Sequence, residues 1–145
     1  MAISPVAGYS GTPLPKKLGI VDGSVVALLH APEGFDDTLG ELPPNVTVRR
    51  TPKGHADVIV AFIDERAHFE AALPIIERSV FPAGGLWIAW PKKASKVATD
   101  MSEDVVREVA LPRGLVDNKV CAIDEVWSGL RIVWRTERRS GPPPG

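Results

Sequence analysis

A single cysteine, Cys121, leaves no partner for an internal disulfide and excludes a multi-cysteine metal site. It lies in the apolar run VCAI, which fits a buried, inert thiol; for the alternative, a reactive thiol, the neighbouring residues form no obvious activating site. Neither sign of charge dominates: 17 basic against 18 acidic residues give a net charge of −1. No overall field draws such a chain to nucleic acid or to an anionic membrane, which leaves only local basic patches to consider. No run reaches the roughly 18 apolar residues of a membrane helix. The N-terminal MAISPVAGYSGTPLPKK has no basic start followed by an apolar core, so it does not read as a secretory signal, and a bacterial-type cytoplasmic protein is expected. Internal repeats are missing, as are Gly-x-Ser-x-Gly, Walker-loop and zinc motifs. His30, His55 and His68 lack ligand spacing, so no metal site is expected.

What is present suits one domain: 145 residues, 44% hydrophobic and 24% charged, can bury a core without staples. The domain is expected over 8–139, with flexible tails at 1–7 and at 140–145, where SGPPPG cannot hold regular structure. Thr12-Pro13 reads as the start of a short helix ending at Gly19. SVVALL at 24–29 is a continuous β-branched and apolar run, as in a strand covered on both faces. VTVRR at 46–50 alternates and suggests a strand nearer the sheet edge. DVIVAFI at 57–63 is a second fully apolar strand, with Asp64 placed to cap the next helix. Phe69, Leu73, Ile76 and Val80 give that helix a buried stripe, and Pro74 should kink or split it. LWIAW at 86–90 is a further apolar strand, and Asp100 or Ser102 can cap a helix whose apolar face is Val105, Val106, Val109 and Ala110. The rest reads as a hairpin: NKVCAIDEV, a turn at Trp127-Ser128-Gly129, then LRIVWR. Leu130, Ile132 and Trp134 share one face, and Asp124 or Glu125 could pair with Arg131 or Arg135.

Strands alternating with helices imply an α/β fold: a compact Rossmann-like sandwich with a mostly parallel sheet of five or six strands, closed by an antiparallel C-terminal hairpin. In such sheets ligands bind beyond the carboxyl ends of the strands. Three segments should meet there: His30 to Gly34, Asp64-Glu65, and Pro91 to Ser95. Lys92 and Lys93 could hold a phosphate or carboxylate, or simply keep a strand end soluble. Ser95 could add a hydroxyl donor or serve the turn. His30 is the one histidine placed to act as an acid or base, against a plain packing role. Glu33 lies in the same loop. Tyr9, Ser10, Gly11 and Thr12 with Lys16 and Lys17 could form a lid or an arm packed across the sheet. Asp117-Asn118-Lys119 reads as a turn into a strand. Trp127, in a turn, could touch a ligand or partner.

The order KLGIVDGSVVALLHAPEGF, followed by FPAGGLWIAWPKK and the terminal hairpin, resembles the S-adenosylmethionine-dependent methyltransferase fold over most of the chain. That resemblance implies S-adenosylmethionine as a cofactor, held by a glycine-rich loop after the first strand and an acidic residue after the second. This chain carries His30, Pro32 and Gly34 in the first place, and Arg49 and Arg50 in the second. Pro32 also lacks an N–H. The segments AGYSGTPLPKKLGI, WPKKASKVATD, EDVVRE and GLVDNKVCAIDEVWSGLR are similar to those of a small bacterial family without an assigned activity, over roughly residues 7–136. Its signature residues fall on Tyr9, Ser10, Lys16, Lys17, Lys92, Lys93, Ser95, Asp117, Asn118, Lys119, Trp127 and Ser128. The functional expectation is a non-catalytic domain on a degenerate methyltransferase-like fold, binding a small anionic ligand or a protein partner through Lys92, Lys93, Ser95, His30, Glu33 and Tyr9. The alternative is an S-adenosylmethionine-dependent methyltransferase with an atypical cofactor loop.

Overall fold

Six strands form one sheet in the order β2-β1-β3-β4-β6-β5 in the computed structural model, which describes residues 11–144. The strands are β1 (Val25–Leu29), β2 (Thr47–Arg49), β3 (Val58–Phe62), β4 (Gly85–Pro91), β5 (Leu115–Ala122) and β6 (Trp127–Trp134). The first four are parallel, and β6 runs antiparallel to both β4 and β5. Helices α1 (Leu14–Leu18), α2 (Phe35–Leu39), α3 (Arg66–Ser79), α4 (Glu103–Ala110) and α5 (Thr136–Arg139) complete the chain. The expected α/β class, the mostly parallel sheet and the closing antiparallel pair are all present. No helix among the described residues is long and apolar enough to cross a membrane.

The continuous apolar runs are explained by burial on both faces. Ala27 and Leu29 of β1 belong to one buried cluster with Phe69, Leu73 and Ile76 of α3, which continues to Val106 and Ala110 of α4. Val26 and Leu28 point the other way, toward Leu14 and Leu18 of α1 and Phe35 and Leu39 of α2. The same alternation divides β3 and β4, which is the period of two expected when each face meets a helical layer. Two indoles fix these layers. Trp87 Nε1–H donates to the Leu18 carbonyl (3.0 Å), and Trp134 Nε1–H donates to the Glu77 carbonyl (2.9 Å). Glu77 is only 4% exposed, and its two carboxylate oxygens accept from Arg113 Nε and Nη2, each at 2.7 Å. That fork raises the Arg113 pKa, outweighing the opposing effect of burial.

The structure corrects several boundaries. The hairpin turn falls at Ile123 to Val126, where Asp124 Oδ1 accepts from the N–H groups of Val126 (2.8 Å) and Trp127 (2.7 Å). Trp127, Ser128 and Gly129 are therefore the first residues of β6, and Asp124 serves its own turn instead of Arg131 or Arg135. A Cβ at Gly129 would be tight, 3.1 Å from Ile123 Cδ1 and 3.2 Å from Trp87 Cε3, so a neighbouring side chain would have to shift by a few tenths of an ångström. Asp117 and Lys119 lie within β5, not in a turn before it; the pairing slips between them, so Asn118 is the extra residue of a bulge. Helix α3 runs unbroken through Pro74. The ring removes only the bond to the Glu70 carbonyl, and Glu70 is exposed, where water can replace it. Thr136–Arg139 adds a short helix that the sequence pattern did not suggest.

Removing one arm of the Glu77–Arg113 fork strands a carboxylate in the core. Arg113→Ala is expected to lower stability by about 2–3 kcal/mol, less than a fully buried pair because Arg113 itself is partly exposed. Arg113→Lys should recover part of the loss. Urea denaturation checks both.

Candidate functional site

From β1 the chain moves outward to β2, then returns to the opposite side of β1 to form β3. The strand order therefore reverses between β1 and β3, and their carboxyl ends diverge into a crevice. His30 leaves β1 in a left-handed conformation (φ 58°) that turns the chain sharply into the loop before α2. Its ring meets that of His68, on the first turn of α3, edge to face with centroids 5.0 Å apart. Arg50 comes from the end of β2. These three side chains share the lining of a pocket of about 230 Å³ whose floor includes Leu29, Ala61, Ile63 and Ile76.

Of the neighbouring polar groups at this edge, Arg49 has a structural duty. Arg49 donates to the carbonyls of Thr51, Gly54 and His55 (2.9, 2.6 and 2.9 Å), which binds the crossing from β2 to β3 to itself. Arg50 Nη2 meets both carboxylate oxygens of Asp36 at 3.1 Å in an exposed pair. Glu33 is exposed and lines neither this pocket nor the larger cleft described next.

At the end of β4, the Lys92 N–H donates to the Val126 carbonyl (2.7 Å), and Lys93–Ser95 form one 3₁₀ turn. The Ser95 hydroxyl donates to the Lys92 carbonyl (2.7 Å) and accepts from the Val97 N–H (3.2 Å). Thr99 donates to the Asp64 carbonyl (2.6 Å) and accepts from the Met101 N–H (3.0 Å). Both hydroxyls thus hold the segment in place. Asp64 does not cap α3; Asp100 does so from a distance, accepting from the Arg66 N–H at 2.7 Å, while Ser102 caps α4. Lys93 is exposed and lies outside both cavities. Lys92 is half-buried and lines a cleft of about 1230 Å³ on the α1/α2 face, between α1, the segment after α2 and the hairpin tip. Lys16 and Lys17 also reach this cleft, but so do Asp22, Glu41, Asp124 and Glu125, so its charge is mixed.

The candidates from sequence are therefore not one constellation. Lys92 belongs to the larger cleft, His30 to the pocket on the α3 face, and Ser95 to a turn. Tyr9 and Ser10 lie outside the described residues. His68 was not singled out, although its place in the first helical turn after an apolar strand puts it at the carboxyl edge. Trp127, half-buried in β6, packs edge to face on Phe62 at 5.0 Å. The Cys121 thiol is buried, and burial raises its pKa against the lowering pull of Lys17 and Lys119. Among the described residues no group of three or more His, Cys, Asp or Glu side chains is arranged to hold a metal ion.

No family model and no curated protein sequence matches the chain. Solved structures do. A type 11 methyltransferase of Sulfolobus solfataricus superposes with a TM-score of 0.55 at 14% identity, covering 89% of this chain and 92% of that one. The fold is methyltransferase-like. A magnesium protoporphyrin IX methyltransferase from Synechocystis PCC 6803 with bound SAH gives 0.52 at 11% identity over 79% and 75% of the two chains. A SAM-dependent methyltransferase from Aquifex aeolicus gives 0.50 at 16% identity over 81% and 85%. These identities establish a shared architecture and no shared chemistry.

Such a fold implies S-adenosylmethionine, and the residues at the switch point can be tested against it. A nucleoside ribose presents hydroxyls that a carboxylate would accept, but the pocket lining contains no Asp or Glu. Its cation is Arg50, beside two histidines. Its volume is also below the roughly 300 Å³ at which pockets for ligands of that size begin. This pocket by itself offers no carboxylate to a ribose.

Asp100 positions the helix that carries His68. Asp100→Ala is expected to cost about 1 kcal/mol and to speed amide exchange in the first turn of α3. Hydrogen exchange with urea denaturation measures both effects.

Proposed function

We propose that the carboxyl edge of this methyltransferase-like sheet is a ligand-binding site. The observation that carries the reading is the collection of His30, Arg50 and His68 around one pocket at the β1/β3 reversal. The first form of the proposal is S-adenosylmethionine-dependent methyl transfer with an atypical cofactor seat. The solved neighbours support it: they are methyltransferases, one of them holding SAH, and they favour an enzyme over a non-catalytic domain. The second form is a domain that binds a small anion or a protein partner without methyl transfer. Arg49, Arg50 and Pro32 favour it, because they stand where the cofactor grip would need an acid and free N–H groups. Lys92, which lines the larger cleft, and the neighbouring Lys93 are proposed as anchors of a second, separate anion site, with Ser95, Glu33 and Tyr9 as proposed contributors. A cytoplasmic setting belongs to the same proposal, as does membership in a small bacterial family marked by the segments quoted above.

Calorimetry with S-adenosylmethionine separates the two forms. Stoichiometric binding in the micromolar range supports the first, and absence of heat at millimolar cofactor removes it. For the second, a thermal-shift screen of small anions should give hits that weaken by roughly tenfold or more in Lys92→Ala with Lys93→Ala, as expected when charge-assisted contacts are lost. Unchanged hits would remove the two lysines as anchors.

A further inference from the structure

We infer that the pocket at the β1/β3 reversal takes a small monocarboxylate with a short aliphatic body. This narrows the anion-binding form of the proposed function and rests on the carboxyl edge being a ligand site. The cavity of about 230 Å³ holds the volume of roughly eight water molecules at ~30 Å³ each. Its floor is Leu29, Ala61, Ile63, Ala72 and Ile76. Ile75 also lines it and is 54% exposed, so apolar surface is left uncovered at the lip. A floor of this kind rejects a multiply charged or strongly hydrated body and rewards a few methylene groups.

The polar part of the lining is one-sided. Arg50, His30 and His68, which carry N–H donors, line it with the Thr51 hydroxyl, and no carboxylate of the lining is present to attract a cation. Arg50 engages Asp36 through Nη2 alone, so its other N–H groups have no partner among the described residues. The pair is also exposed, at 53% and 70% of the two side chains, and an ion pair in water holds its partners weakly. A guanidinium with free N–H groups matches the two oxygens of a carboxylate. A single negative charge at the rim with an alkyl tail on the floor satisfies both halves of the pocket. A nucleoside or inorganic phosphate satisfies only one.

Amide and imidazole NMR spectra of the full chain, titrated separately with propanoate, butanoate, pentanoate, inorganic phosphate and SAH, test the assignment. Saturable shifts centred on His30, Arg50 and His68 are expected with the carboxylates, with a Kd on the order of millimolar and about fourfold tightening for each methylene buried. Arg50→Ala should weaken the carboxylates tenfold or more, and Ala72→Leu, which fills the floor, should abolish the chain-length trend. Phosphate shifting the same residues as strongly as butanoate would overturn the aliphatic assignment while leaving an anion site. SAH alone binding at this edge would overturn it in favour of a cofactor seat. No shift with any probe would overturn both the assignment and the ligand-site reading beneath it. Carboxylate binding unaffected by Arg50→Ala and Ala72→Leu would place the site elsewhere and overturn the inference.

Discussion

A sheet covered on both faces must leave no polar group stranded in either interface, and this constraint organises the molecule. Trp87 and Trp134 are each below 2% exposed, so each indole N–H must find its acceptor inside the protein. They find them on opposite sides, in the last residue of α1 and near the end of α3. The bulkiest fully buried side chains of the sheet thereby tie two helices to it. Glu77 extends the arrangement, giving its carbonyl to Trp134 and its carboxylate to Arg113. Among the described residues, no buried side-chain nitrogen or oxygen lacks a partner. The carboxyl edge is thus carried by a scaffold whose buried side-chain polar atoms are all paired among the described residues.

Much of this scaffold was legible in the chain. Uninterrupted runs such as VVALL and VIVAF announce strands buried on both faces, because a half-exposed strand would alternate. Gly19 marks the end of α1 in its left-handed conformation, as glycine after an apolar turn suggests. The hairpin was misplaced because Trp-Ser-Gly has the composition of a turn, while Gly129 is small for a different reason: it faces an indole. The true turn at Asp124 was obscured by two acids that look available for ion pairing. Pro74 similarly announces a break that an exposed carbonyl makes unnecessary.

The site was less legible than the fold, and the reason is geometric. Position along the chain places a residue at a strand end but does not say which face it serves. Lys92 and His30 both sit beyond carboxyl ends, yet they open into cavities on opposite sides of the sheet. Ser95 and Thr99 carry hydroxyls that look free in sequence and are spent on local carbonyls in three dimensions. Asp100 shows the same limit, with capping-box spacing toward α4 but a bond to α3, 34 positions earlier. Long-range assignments of this kind leave no periodic signal.

Gly129 and Trp87 carry a consequence for how this chain can change over time. The indole occupies the volume that a side chain at 129 would need, with atoms little more than 3 Å from where a Cβ would stand. The two positions share one allotment of space across neighbouring strands. A smaller residue at 87 would leave a void until 129 grew, and a larger residue at 129 would crowd Trp87 and Ile123 until one of them gave way. Related chains of this fold should therefore vary at these positions together, exchanging bulk from one strand to the other while the interface keeps a constant thickness.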